Sequence, residues 1–131
     1  MAKVLGVGGV FFRSEDPRRL NAWYEKWLGM PLADTPGVAF RPCDLPDGAS
    51  TVWSVFDAGT DYFEPSERGF MFNLVVDDLD EALGQVEAGG ARRVGEIEHC
   101  PNGRFGWFLD PDGNKVELWQ PAEEPRACGG R

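Results

Sequence analysis

The residues of this chain best suited to chemistry lie near its end, between Asp110 and Trp119. The motif Asp-Pro-Asp-Gly-Asn predicts a tight turn, because Pro presets φ, Asp and Asn bond their own backbone, and Gly supplies a positive φ. In the short strand that follows, alternation places Lys115, Glu117 and Trp119 on one face. A carboxylate beside a Trp on an inward face is costly without a partner or a role. Glu117 is therefore our candidate catalytic and ligand-binding residue.

Two further polar residues are candidates for the same site. Asn73 interrupts the apolar run 70–76, and a buried amide there needs hydrogen-bond partners. Arg104 belongs to a run in which alternation separates residues 104, 106 and 108 from 105 and 107, without deciding which set faces inward. On the inward face, Arg104 would pair with Glu117 or hold a substrate carboxylate.

Aromatic residues could form the walls of such a site. The chain has five Trp, nine Phe and two Tyr, several of them on strand-like runs. Small-molecule sites combine apolar and aromatic walls with a few polar groups. We take Trp53, Trp107 and Trp119 as ligand-binding candidates.

Charge and composition exclude several classes of function. A net charge of −9 argues against nucleic-acid binding, which needs basic patches. The acidity favours a cationic or neutral small ligand, or serves solubility alone. Three cysteines without a Cys-x-x-Cys pair predict reduced thiols. The sequence has neither a membrane-spanning run nor the apolar stretch of a secretory signal at its start, so we expect a cytoplasmic protein that does not bind membranes.

Two helices must position these residues. Asp16 followed by Pro predicts the first helix start, and helical spacing of apolar residues continues to Gly29, a suitable C-terminal cap. Asp78, three residues before Glu81, predicts the second helix start. The glycine pair beginning at Gly89 ends that helix.

Strand-like runs surround each helix. In the first half they are 7–13, 31–34, 38–42 and 51–57. In the second half they are 70–76, 92–98, 104–110 and 115–120. Each half therefore repeats the order strand, helix, three strands, and neither half alone is large enough for a good core. We expect one domain over residues 1–122 and a disordered tail over 123–131.

The motifs resemble those of the vicinal oxygen chelate superfamily, which includes glyoxalase I, the bleomycin-resistance proteins and the extradiol dioxygenases. They are Asp-Pro at 16–17 with Trp-Tyr-Glu-Lys-Trp-Leu-Gly-Met at 23–30, Val-Asp-Asp-Leu-Asp-Glu-Ala at 76–82, and the closing turn with Glu117. The resemblance implies an α+β fold. Two tandem βαβββ modules, at about 3–60 and 68–121, would form a curved eight-stranded mixed sheet around a cleft.

The resemblance also indicates which residues would bind a metal ion if the protein held one. In metal-dependent relatives the ligands are His, Gln or Glu about seven residues before each helix-capping Asp, plus a Glu in the closing strand. Here those positions carry Gly9, Met71 and Glu117, and neither Gly nor a thioether holds a hard divalent ion. We therefore expect no metal and no other cofactor, unless Glu117 anchors a weak divalent site.

Two functions follow from this resemblance. One is a bleomycin-resistance-like homodimer that binds a small aromatic or cationic molecule in its cleft. The other is a glyoxalase-like lyase, isomerase or dioxygenase that acts on a small oxygenated metabolite, with Glu117 as base or residual metal ligand. A third interpretation is an interaction domain whose cleft is filled by its own side chains.

Overall fold

The computed structural model of this protein describes residues 1–5, 7–32 and 37–122. Over these residues the elements are α1 Pro17–Leu28, a 3₁₀ turn Pro42–Asp44, β1 Phe72–Val75, α2 Leu79–Ala88, β2 Arg92–Cys100, β3 Gly103–Leu109 and β4 Lys115–Pro121. Part of the predicted run 31–34 and the predicted disordered tail lie outside the described residues. In the described part of the chain, no helix is long and apolar enough to span a membrane.

Both helices begin where the sequence predicts. The Asp16 carboxylate accepts a hydrogen bond from the Arg19 N–H at 3.1 Å, and Asp78 accepts one from the Glu81 N–H at 3.0 Å. Such caps satisfy N–H groups that have no partner inside the helix. Helix α1 ends at Gly29, whose φ of 65° favours glycine.

The four strands form one mixed sheet in the order β1-β4-β3-β2. Strand β1 runs parallel to β4, while β4, β3 and β2 are antiparallel neighbours. The register sets Asn73 on β1 and Trp107 on β3 opposite Glu117 on the central strand β4. These three residues therefore form a row across the sheet.

Both helices contribute to the core, which lies against one face of the sheet. It is formed by Leu20, Tyr24, Leu79, Ala82, Leu83, Val86, Phe108, Val116 and Leu118. Burying one such aliphatic side chain contributes about 1.5–3 kcal/mol. Because Val116 and Leu118 face the helices, alternation turns Lys115, Glu117 and Trp119 to the opposite face.

The predicted eight-stranded sheet is not confirmed. The second half forms the predicted βαβββ unit, whereas the described residues of the first half contribute helix α1 and no strand. A strand needs a neighbour that pairs its N–H and C=O groups. Among residues 1–5, 7–32 and 37–122, the runs 7–13 and 51–57 have no such neighbour, and Phe11 is 95% and Val55 82% exposed.

The Asp-Pro-Asp-Gly-Asn turn ties helix α1 to the β3–β4 hairpin. Asp110 accepts four hydrogen bonds: Oδ1 from the N–H groups of Asp112 and Asn114, both at 2.9 Å, and Oδ2 from the Tyr24 hydroxyl at 2.8 Å and Asn114 Nδ2 at 2.9 Å. The Ser14 hydroxyl donates to Asp112 Oδ2 at 2.6 Å. The motif therefore joins the turn between β3 and β4 to helix α1 and to the residues just before it.

We expect the Tyr24–Asp110 contact to make stability sensitive to alkali. Burial, and secondly the Asp110 charge, raises the pKa of Tyr24 above its ordinary value. The stabilisation from this shift is complete below the unfolded pKa of about 10 and is lost above it by about 1.4 kcal/mol per pH unit. Tyr24→Phe should lower the free energy of unfolding by about 1–3 kcal/mol at neutral pH. In urea titrations, its difference from wild type should shrink above pH 10.

Tyr62→Phe is the matched control, since it removes the other tyrosine hydroxyl from a half-exposed position. The pKa of Tyr62 is also raised, so both tyrosines contribute to the loss of stability at alkaline pH. Each variant should remove only the contribution of the tyrosine that it replaces. A Tyr24→Phe difference that stays constant between pH 9 and 11 would contradict the assignment.

Candidate functional site

Glu117 is the centre of a polar and aromatic cluster on the sheet face that points away from the helices. The residue is only 9% exposed. Its Oε1 accepts a hydrogen bond from Asn73 Nδ2 at 2.6 Å. Its Oε2 accepts two, from the Tyr62 hydroxyl at 2.5 Å and from Trp107 Nε1 at 2.9 Å. Three donors on three different elements of the chain therefore hold this buried carboxylate.

Lys115 supplies a positive charge beside Glu117 on the same strand face. Its ammonium donates to the Tyr62 carbonyl oxygen at 2.5 Å. It lies 5.1 Å from the centre of the Tyr62 ring and 5.9 Å from that of Trp107, within cation–π range. Burial lowers the pKa of Lys115, and the Glu117 carboxylate acts in the opposite direction. The pair brings both charge signs to one aromatic site.

Tyr62 reaches this site from the segment between the two halves of the chain. Its ring is stacked on Phe56, with centroids 5.6 Å apart and planes 9° apart, and meets Trp107 edge-on at 6.3 Å. Burial, and then its bond to Glu117, raises the pKa of Tyr62. Residues 60–68 lie between the two predicted modules, and our sequence analysis did not select Tyr62 as a site residue, because no local pattern links it to Glu117. Lys115 was also missed as a site residue, although alternation placed it on the correct face.

The three predicted Trp residues occupy different positions relative to Glu117. Trp107 contacts Glu117 directly, and Trp119 shares the same sheet face, stacked on Phe105 with centroids 5.9 Å apart. Trp53 is 81% exposed and is not among the described residues that bond to Glu117. Asn73 bonds to Glu117 from an exposed position on the edge strand, and not from the buried position that the sequence suggested.

Arg104 lies on the opposite face from Glu117, which corrects the predicted ion pair between them. Its Nη2 contacts both Asp80 carboxylate oxygens on helix α2, at 2.9 and 3.1 Å, and its Nη1 lies 3.4 Å from Gln120 Oε1. The cause is the alternation of β3, because Phe108, which shares the face of Arg104, packs in the helix-covered core. Residues 105 and 107, on the other face of β3, therefore lie on the same side of the sheet as Glu117.

Comparison with known proteins identifies the family. The family model described as "Glyoxalase-like domain" matches residues 9–119. The chain belongs to this family. The match confirms the resemblance to the vicinal oxygen chelate superfamily that the sequence motifs predicted. No curated protein sequence matches the chain.

Solved structures resemble this glyoxalase-like domain over nearly its full length. TnmS3, an antibiotic binding protein from Streptomyces sp. CB03234, is 27% identical, with a TM-score of 0.57 over 93% of this chain and 100% of that chain. A member of the glyoxalase/bleomycin resistance protein/dioxygenase superfamily from Sphaerobacter thermophilus DSM 20745 is 22% identical, with a TM-score of 0.47 over 92% of this chain and 98% of that chain.

The residues of this glyoxalase-like domain do not fit the divalent metal centre of metal-dependent relatives. Gly9 and Met71 offer no hard ligand at the two corresponding positions. In the part of the chain that the structure describes, the groups that bond to the Glu117 carboxylate are three hydrogen-bond donors. Across residues 1–5, 7–32 and 37–122, no group of three or more His, Cys, Asp or Glu side chains could hold a metal ion. We therefore derive no chemistry through a metal.

Two cavities of the glyoxalase-like domain lie away from Glu117. One of about 570 Å³ opens between α1 and the end of α2, beside Trp23 and Gly90. The other, of about 240 Å³, lies beside His99 and Gln120. Neither is bordered by Glu117, whose carboxylate is covered by the Tyr62 side chain.

Proposed function

We propose that this glyoxalase-like domain binds a small aromatic molecule on the sheet face of Glu117, without a metal. The observation that carries the proposal is the buried Glu117 carboxylate, held by three donors between aromatic rings. A few oriented polar groups within apolar walls are the composition of a small-molecule site. The likeness to TnmS3, an antibiotic binding protein, supports the same function.

The charges around the site favour a cationic or neutral aromatic molecule. Asp61 and Glu64 act electrostatically on Lys115, and Glu98 acts on Tyr62. Together with Glu117, these acids outnumber the single lysine. An acidic cleft concentrates cations, and aromatic faces attract them. An anionic aromatic molecule would meet repulsion from the same residues.

We expect a cationic planar dye such as acridine orange to raise the melting temperature of the purified protein, by an amount that grows with the logarithm of the dye concentration above its Kd. Binding to the folded state alone adds about 2.7 kcal/mol when the free ligand is at 100 times its Kd. Quenching of tryptophan fluorescence should saturate with the same Kd that the melting shift gives, because Trp107 lies in the site.

The controls for this experiment are a sulfonated anionic dye of similar size and a metal analysis of protein purified without chelator. The anionic dye should bind more weakly. No stabilisation across cationic and neutral aromatic compounds would overturn the proposed binding function. A stoichiometric divalent ion in the purified protein would overturn the proposal that binding needs no metal.

One observation favours catalysis, with Glu117 as a base, as a second candidate function. Among the described residues, Asn73 is the donor to Oε1, whereas Oε2 accepts two bonds. A carboxylate oxygen has two lone pairs, so Oε1 retains one with which to accept a substrate proton. Glu117 would then act as the base of a lyase- or isomerase-type step on a small oxygenated metabolite.

We also propose that the protein is a homodimer in which a second copy covers the exposed apolar residues of the first half. Phe11, Phe40, Val52 and Val55 are each at least 60% exposed. Where such side chains form one patch, they usually mark an interaction surface. Sedimentation over a range of protein concentrations should give the dimer mass, and Val55→Asp should shift it towards monomer. A wild-type monomer at all concentrations would contradict the proposal.

A further inference from the structure

The Tyr62 side chain places a phenol against Glu117 and between the aromatic rings of the site. Its hydroxyl donates to Glu117 Oε2 at 2.5 Å, the short distance typical of a bond to a charged acceptor. Its ring is stacked on Phe56, meets the edge of Trp107, and lies beneath the Lys115 ammonium. The site therefore already contains one phenol, supplied by the chain itself.

The segment that carries Tyr62 takes no part in the strand pairings of β1, β4 and β3. Its turns are closed by short-range backbone hydrogen bonds, from Thr60 to Asp57, Glu64 to Asp61 and Ser66 to Phe63. The contacts that hold Tyr62 on the sheet are the Glu117 bond, the Lys115 bond and ring contacts. Displacing Tyr62 would therefore leave the ladders between strands β1, β4 and β3 intact.

We propose that Tyr62 is an internal occupant of the Glu117 site, and that the ligand is a phenol that displaces it. This inference rests on the proposed binding function and names its ligand class. A ligand hydroxyl would replace the bond that Oε2 loses, whereas an aromatic ring without a hydroxyl would leave this buried oxygen with Trp107 alone. Buried polar groups left without a partner discriminate strongly against the wrong ligand.

The test uses p-cresol, which is the tyrosine side chain without its backbone. We expect Tyr62→Ala to bind p-cresol about tenfold or more tightly than wild type in titration calorimetry, because the competing ring is gone. In the same variant, 4-methylanisole, whose methylated oxygen cannot donate, should bind about tenfold or more weakly than p-cresol. Addition of p-cresol should also restore part of the melting temperature that Tyr62→Ala loses.

Two variants serve as matched controls. Phe63→Ala removes a ring of the same segment that packs on Phe56 and Tyr62, but it keeps the Tyr62 ring and its bond to Glu117, so it should strengthen p-cresol binding much less than Tyr62→Ala does. Tyr62→Phe keeps the ring and loses only the hydroxyl bond to Glu117. Its affinity for p-cresol should lie between those of wild type and Tyr62→Ala, and this variant tests the idea even if the alanine variant does not fold.

The outcomes separate this inference from the proposed function. Equal affinity for p-cresol and 4-methylanisole, or no gain in either Tyr62 variant, would overturn the inference. If aromatic dyes still bind wild type in that case, the binding function stands without it. If neither dyes nor p-cresol bind wild type or any variant, both proposals fail.

Discussion

Asp110→Ala is expected to lower the free energy of unfolding by about 3–5 kcal/mol, the largest effect of any substitution considered for this protein. Asp110 is 5% exposed and accepts four hydrogen bonds. Alanine would leave the Tyr24 hydroxyl, the Asn114 amide and two backbone N–H groups without an acceptor. Buried donors without partners cost about 1–3 kcal/mol each before the site relaxes. Urea unfolding followed by circular dichroism measures the loss.

The control lies two residues away. Asp112→Ala removes one bond, from the half-buried Ser14 hydroxyl, in the same turn. It should therefore cost much less than Asp110→Ala. Asp110→Asn should fall between them, because one carbonyl oxygen still accepts from the two backbone N–H groups. If Asp110→Ala were no more destabilising than Asp112→Ala, the turn would not be the tie between α1 and the hairpin.

Glu117→Ala should weaken binding of a cationic or phenolic aromatic ligand by about 100-fold, since hydrogen bonds to a charged group are worth about 1.5–3 kcal/mol. The same change leaves Tyr62, Trp107 and Asn73 without their acceptor and removes the acid with the largest electrostatic effect on Lys115. We therefore also expect it to lower the free energy of unfolding by about 2–4 kcal/mol. Calorimetric titration and urea unfolding of the same samples separate the two effects.

Glu117→Gln distinguishes the two candidate functions. It preserves shape and one acceptor oxygen but removes the charge. A binding protein should then lose its preference for cations and still bind neutral aromatic molecules, whereas an enzyme that uses Glu117 as base should lose turnover completely. Glu98→Gln is the control, because it removes an exposed acid that acts on Tyr62 from outside the bonded cluster. Equal effects of both variants would argue against a special role for Glu117.

The helices and the second-half strands were predictable because their signals are local. Asp16 and Asp78 cap helices through atoms three residues away, as their spacing indicated. Alternation along β4 placed Glu117 and Lys115 together, since successive side chains of a strand must point to opposite faces. The same kind of signal was not confirmed in the first half, where the run 51–57 has strand composition but, within the described residues, pairs with no strand.

Sequence by itself therefore determined the family motifs, the two helices, the final strands and the presence of a carboxylate on one face. Only the tertiary structure decided its partners. Tyr62 and Asn73 lie 55 and 44 residues from Glu117 along the chain, and Arg104 turned to Asp80 because the helices cover its face of β3. Caps and alternation act over a few residues, so a sequence displays them directly. Contacts across such distances depend on how whole elements pack, which no local pattern records.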